Sequence, residues 1–372
     1  MKKLFICAAI CLIAMTGCKE SGSDSAELSG LQYIGSTELT YAEQFSIDNY
    51  SGDISVITIG EEKYIVVPEN CTAAIPDGMT VITKPQESIY LAASSAMDLF
   101  DGIGALENIC ATATAENSWS LPNVKEAIDC GSILYAGKYS APDFELLLSE
   151  GCSLAIESTM IYHKPEIKEQ LEEIGIPVLV ERSSYESHPL GRLEWIKLYG
   201  ILTDREEEAE EIFNRQAECV NSIMSEEKTG KIVAFFYISS NGYVNVRKPG
   251  DYISKMIELA GGEYIFTADD MNVDENALST INMQFETFYA IASEADILIY
   301  NSTVDGGVDT ISQLTEKNGM LADFKAVKNG DVWCTESNMF QQTTGTADMI
   351  SDMHKIFTDE ADDEMNYLHR LK

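Results

Sequence analysis

The chain has 372 residues, 45% of them hydrophobic, with 61 acidic side chains against 25 basic ones and a formal net charge of −36. That length exceeds one typical hydrophobic core, so two or more domains are expected. The charge excludes a nucleic-acid backbone as partner, because phosphate would be repelled.

The chain opens as a secretion signal. Lys2 and Lys3 form a positive start, and residues 4–15 are an apolar stretch too short for a permanent bilayer span. Met15, Thr16 and Gly17 then lead to Cys18. This resembles a bacterial lipobox, with Met15 where Leu is usual. The resemblance implies a signal peptide over residues 1–17 and acylation of Cys18. Residues 18–27 follow as a flexible tether. Several buried acyl carbons, each worth about 0.8 kcal/mol, would hold the protein to the outer face of a membrane or in a periplasm. Of nine cysteines, Cys71, Cys110, Cys130, Cys152, Cys219 and Cys334 lie beyond this region and form no CxxC pair. Neither a zinc site nor a redox motif is expected, and most are read as buried free thiols.

Residues 28–77 read as a small β-rich extension. Residues 50–59 partly alternate, residues 63–67 form an apolar strand, and Gly60 with Glu61 and Glu62 reads as the hairpin turn between them. The segment carries no evident ligand chemistry and is expected to decorate the first lobe. That lobe, residues 78–188, starts near Thr80. Its expected strands are 89–93, 132–137, 154–158 and 176–180, separated by helices that include one opening at Pro142 and another over 165–175. Strands alternating with helices imply a parallel sheet whose carboxyl ends form a ligand-facing rim. The rim candidates are Ser94, Ser95, Tyr139, Thr159, Met160, Tyr162, Arg182 and Tyr185, with Trp119 in a loop nearby.

The stretch 181–197, at the midpoint of the chain, is dense in Arg182, Ser183, Ser184, Tyr185, Glu186 and His188 and runs into a helix. Residues 189–228 read as one nearly continuous helix, restarted by a capping box at Thr203 and Glu206. Unbroken, it would span ~55 Å, enough to bridge two lobes. The second lobe, residues 229–342, shows strands at 231–237, 296–300 and 326–334, a polar loop over 239–246, and helices over 252–259 and 283–292. Tyr237, Tyr243, Asn338, Phe340 and Gln341 are its ligand-facing candidates. Residues 343–372 read as a closing helix and a short tail.

The order of these parts resembles the substrate-binding lipoproteins of ABC transporters for iron chelates, haem and vitamin B12. The resemblance rests on residues 142–148 with 154–156, on residues 285–288 with 295–299, on the block 185–195, and on the lipobox. It implies an α/β fold of two Rossmann-like lobes joined by a single long helix, covering residues 80–372, with the β-rich extension outside the usual pattern. It implies Glu145 and Glu286 as the surface acids that meet the permease, and an ATPase and permease complex as partner. It implies no cofactor of the protein's own, since iron or cobalt would arrive within the chelate, and a monomer on the cell surface. In the cleft the aromatic residues would supply apolar faces, and Arg182 would meet a carboxylate or phosphate. His188 is read two ways, as an axial metal ligand or as a capping and packing residue. The alternatives are an adhesive or structural surface lipoprotein, or a hydrolase built on His188 with nearby acids and serines. The chain has neither G-x-S-x-G nor H-E-x-x-H to favour hydrolysis.

Overall fold

The computed structural model describes residues 30–372 apart from 304, 305 and 363. The leader, Cys18 and the tether lie outside the described residues. The extension is a five-stranded sheet of β1 (Tyr33–Ser36), β2 (Phe45–Tyr50), β3 (Ile54–Ile59), β4 (Glu62–Pro68) and β5 (Thr80–Lys84), in that order. The first four run antiparallel, and β5 pairs parallel to β4. Two expectations change here. The alternation over 50–59 is interrupted by a turn with Gly52 and Asp53 at positive φ, so Tyr50 ends one strand and Ile54 begins the next. Residues 80–84, expected in the first lobe, complete the extension's sheet.

The first lobe contains β6 (Ile89–Leu91), α1 (Met97–Gly102), β7 (Ile109–Thr112), α2 (Pro122–Asp129), β8 (Leu134–Tyr135), β9 (Gly137–Lys138), β10 (Ala141–Pro142), α3 (Phe144–Ser149), β11 (Leu154–Ser158), α4 (Pro165–Glu173) and β12 (Val178–Glu181). Its sheet is parallel throughout, in the order β12-β11-β6-β7-β8. One face packs Ile89, Leu91, Leu154 and Ile156 into the main core. The other packs Tyr90, Ala155 and Val178 against Leu147 of α3 and Leu171 of α4. Pro142 does not open α3. It closes β10, and the Asp143 carboxylate caps the helix by accepting from Leu146 N at 3.0 Å. Toward the end of β11, Glu157 is 0% exposed, and neither its carboxyl oxygens nor the Tyr90 hydroxyl has a hydrogen-bond partner among the described residues. Burial pushes the Glu157 carboxyl up to about 8.

The connection is not one rod. It is α5 (Pro189–Glu194), α6 (Ile196–Thr203) and α7 (Glu206–Met224). Asp204 ends α6 in the left-handed region at φ 54°. The chain then folds back, so that a Cβ on Gly200 would stand 2.9 Å from the Ala209 Cβ and 3.0 Å from the Arg205 carbonyl. Gly200 is therefore a point of close helix approach. Thr203 spends its hydroxyl on the Tyr199 carbonyl at 2.9 Å, and α7 starts without a side-chain cap. The expected capping box does not form. Below the break, Lys84 is 4% exposed and draws Asp53, Asp204 and Glu206 to 2.9, 3.4 and 3.4 Å.

The second lobe holds β13 (Ile232–Ile238), β14 (Val244–Arg247), α8 (Tyr252–Leu259), β15 (Glu263–Tyr264), α9 (Ala268–Met271), β16 (Thr280–Met283), α10 (Phe285–Ala292), β17 (Ile297–Tyr300), α11 (Ile311–Lys317), α12 (Lys325–Asn329) and β18 (Val332–Thr335). It is followed by α13 (Thr346–Phe357) and β19 (Leu368–Arg370). The strand order is β16-β14-β13-β17-β18-β19, with β15 on the remaining stretch of β13. The polar residues 239–246 form a hairpin into β14 instead of a loop, Met283 ends a strand, and residues 326–327 lie in α12 rather than in a strand. The tail is likewise not free: β19 pairs antiparallel with β18.

The extension is built into the molecule and does not decorate it. Phe45, Ile47, Ile57 and Tyr64 share one core with Trp195, Tyr199 and Phe213 of the connection. Two buried carboxylates hold the loop before β2. Glu194 accepts from the backbone amides of Thr40, Tyr41 and Ala42 at 2.9, 2.8 and 2.8 Å. Glu186 accepts from those of Glu43 and Gln44 at 2.8 and 3.0 Å and from the Trp195 indole at 2.9 Å. Gly191 admits this loop, since a Cβ there would meet the Tyr41 carbonyl at 2.8 Å. His188 stacks on Tyr41 with ring centroids 4.5 Å apart and accepts from Leu190 N at 3.2 Å. Burial, with Lys255 adding to it, pushes its imidazole down to about 4.

Hydrogen bonds to a charged group are worth roughly 1.5–3 kcal/mol each. Glu194→Ala strands three amides and should cost on the order of 3 kcal/mol or more, read as the urea midpoint, with new protease cleavage around residues 38–44. Unchanged cleavage would show that the loop is held by something else. For Glu157 the folded-state pKa is raised, so the unfolded chain releases the proton first, and the group destabilises progressively as pH rises from about 4.5 toward 8. Glu157→Gln should therefore stabilise the protein more at pH 8 than at pH 5, in thermal melts at the two pH values. Equal shifts would mean that the carboxyl has found a partner.

Candidate ligand-binding site

The carboxyl ends of β6, β7, β11 and β12 in the first lobe and of β13, β17 and β18 in the second are where such sheets place ligands. Three arginines stack on aromatic rings, one beyond β12 and two around Tyr252, and the sequence reading found one of them. Arg182 follows β12, with its guanidinium 4.9 Å over the Tyr185 ring. Arg192 on α5 lies 4.0 Å over the Tyr252 ring. Arg247 ends β14 and lies 5.9 Å from the same ring, 5.2 Å from Phe340 and 5.8 Å from Phe235. Arg247 pairs with Asp251 at 3.6 Å, whereas Arg182 and Arg192 have no carboxylate within ion-pair distance among the described residues. Guanidinium groups stacked on rings keep their edges for planar anions. Pro189, Arg192, Tyr252, Met256, Met339 and Phe340 line a small depression at this junction.

The two lobes are pinned beside it. Gln341 accepts from Ser120 N at 2.6 Å and donates to the Ser118 carbonyl at 2.8 Å. The Ser120 hydroxyl donates to the Ser337 carbonyl at 3.2 Å. Asp98 of α1 accepts from the Thr344 amide and hydroxyl, both at 2.7 Å. Burial pushes the Asp98 carboxyl up, and the two Thr344 bonds oppose the shift. Further along, the Gln216 side chain accepts from Ala347 N at 2.7 Å, tying α7 to the closing helix.

The expected site residues divide into three groups. Met160, Tyr162, Tyr185 and Tyr243 are exposed aromatic or thioether surfaces, and Ser94 is an exposed hydroxyl. Thr159, Tyr139, Tyr237, Arg182 and Phe340 are half-buried, with Tyr139 packed on the first-lobe core and Tyr237 on the second. The remainder already have partners. Ser95 donates to Glu181 at 2.8 Å, and Asn338 donates to Gln342 at 2.8 Å. Gln341 bridges the lobes. Trp119 is 2% exposed with its indole N–H on the Thr114 carbonyl at 3.3 Å, so it anchors the bridging loop and presents no face to a ligand. His188 is occupied by its cap and by Tyr41. Arg192, Arg247 and Tyr252 were missed because they stand in helical or strand patterns. The signal that could have found them is basic side chains near an aromatic in a chain so acidic. Glu145 and Glu286 are both exposed, each the second residue of its helix after a Phe, and neither forms an ion pair among the described residues.

Comparison with known proteins agrees with this architecture. The sequence is similar to an uncharacterised lipoprotein of Methanocaldococcus jannaschii, 24% identical over 308 residues covering 79% of this chain and 70% of that protein. A second uncharacterised lipoprotein of the same organism is 24% identical over the full length of both. Similar folds are found in the periplasmic haem-binding protein HutB of Vibrio cholerae, with TM-score 0.57, 18% identity and coverage of 71% of this chain and 97% of that one. A periplasmic binding protein of Veillonella parvula gives TM-score 0.58 at 15% identity, over 86% and 98%. The vitamin B12-binding protein BtuF of Vibrio cholerae gives 0.51 at 14%, over 74% and 98%. The sequence profile of the periplasmic binding proteins matches residues 89–339, which hold the first-lobe sheet, all of the second-lobe sheet but β19, and the helices between them. With two pinned α/β lobes and cationic, aromatic residues where their strands end, the chain belongs to the periplasmic binding protein family.

Proposed function

We propose that this protein is the extracytoplasmic substrate-binding component of an ABC importer, holding a metal chelate between its lobes and delivering it to a permease. The observation that carries this reading is the set of stacked arginines at the lobe junction. Arg192 and Arg247 flank Tyr252 within a chain of net charge −36. A chelate with a broad apolar face and peripheral carboxylates matches rings and guanidinium edges together. That favours haem or a carboxylate-bearing ferric siderophore over an uncharged corrinoid. Iron or cobalt would belong to the cargo. Among the described residues no group of three or more His, Cys, Asp or Glu side chains is placed to hold a metal ion. Acylated Cys18 would keep the protein on the membrane, and no described helix is long and apolar enough to cross one. Glu145 and Glu286, one on each lobe and each free of an ion pair among the described residues, suit docking onto basic residues of the permease.

Titration of the mature chain with haemin, ferric siderophores, cobalamin and cobinamide, by tryptophan quenching and visible spectra, should give one-to-one binding of an anionic chelate. Arg192→Ala should weaken it by about 10- to 100-fold, the span of one lost charge-assisted contact. If none of the four classes binds, the chelate reading fails and another cargo must be extracted from native protein. Docking is tested apart from binding. Glu145→Lys with Glu286→Lys should leave chelate affinity unchanged and reduce uptake by cells at least tenfold. Normal uptake by the double variant would remove these two acids from the docking surface.

A further inference from the structure

Residues 30–88 precede the stretch matched by the family profile, yet two of their turns reach the rim of the candidate site. The Nε of Arg182 donates to the side-chain oxygen of Gln44 at 3.4 Å. A terminal nitrogen of the same guanidinium lies 3.5 Å from where a Cβ on Gly60 would stand, in the turn between β3 and β4. Gln44 is itself fixed through its backbone amide on buried Glu186. Gly60 holds a positive φ that other residues adopt only with strain. Around this guanidinium, Tyr185 is 43% and Tyr162 48% exposed. Glu62, the nearby acid of the extension, is taken by Lys168 at 2.7 Å and by the Tyr64 hydroxyl. Among the described residues no carboxylate lies within ion-pair distance of Arg182. A neutral amide on its Nε side orients the group without neutralising it and leaves the other N–H groups for a planar anion.

We propose that the N-terminal extension is part of the ligand site: Gln44 holds the Arg182 guanidinium above Tyr185, with the side-chain-free Gly60 turn leaving room beside it, as the contact for a carboxylate of the cargo. This rests on reading the cleft as a cargo site. Gln44 is a positioning residue, and Arg182 makes the contact. The extension then selects among cargoes, and its turns count as binding structure.

The test uses the mature protein in mild detergent with citrate as the probe, read by the arginine Nε resonances in nitrogen-15 NMR. The Arg182 signal is identified by its loss in Arg182→Gln. Citrate should shift that signal in the unaltered protein. Gln44→Glu places a carboxylate beside the guanidinium and should weaken the response about tenfold or more, whereas Gln44→Ala should weaken it only about threefold. Thermal melts confirm that each variant is folded. A wild-type Arg182 signal indifferent to citrate overturns the site, and an undiminished response in folded Gln44→Glu overturns the role of Gln44. Chelate binding with a silent Arg182 signal removes this inference alone. A citrate response without any chelate binding removes the chelate reading alone.

Discussion

Two buried carboxylates organise this molecule. Glu186 and Glu194 lie within the chain's middle stretch and together accept from five consecutive backbone amides of residues 40–44. Buried ionisable side chains are costly unless their oxygens are satisfied. Here they are satisfied by consecutive backbone amides of a partly exposed loop. The exchange fixes the extension against the connection and shapes the path of α5. It also fixes Gln44 and, through it, the first arginine of the rim.

The charge distribution is arranged at two scales. At long range the chain is strongly acidic, which opposes unselective capture of anions. That field is screened within about 8 Å at physiological ionic strength. Close to the candidate residues the local groups dominate: among the described residues neither Arg182, beyond β12, nor Arg192, at the lobe junction, has a carboxylate within ion-pair distance, and their faces are covered by Tyr185 and Tyr252. Two further cations that could have served a ligand, Lys84 and Lys168, are instead consumed by neighbouring acids.

The connection between the lobes has several strands of support. Besides α7, which Gln216 ties to the closing helix at Ala347, the lobes are held by Asp98 with Thr344 and by Gln341 with residues 118 and 120. Each of these places a polar side chain of one element on the backbone of another, so relative displacement of the lobes breaks several bonds together. Trp119 contributes by filling the core beneath the bridging loop.

The sequence by itself determined the alternation of strands and helices, the two α/β lobes, the exposed acids Glu145 and Glu286, and the importance of residues 181–197. These follow from local periodicity, turn residues and clustered polar side chains, all of which are written in short windows of chain. It misjudged the 203–206 region because a capping-box spelling does not reveal that Thr203 will face Tyr199 and that Asp204 will take a left-handed turn. It assigned Trp119 and Gln341 to a ligand, and left His188 between metal ligation and capping, because polarity and aromaticity say nothing about which partner is nearest. Only the tertiary structure decided that the extension shares the main core, that Gln44 meets Arg182 across 138 positions of chain, and that Arg192 and Arg247 converge on Tyr252. Those contacts join distant segments, and their energies depend on burial and on satisfied hydrogen bonds that no local pattern encodes.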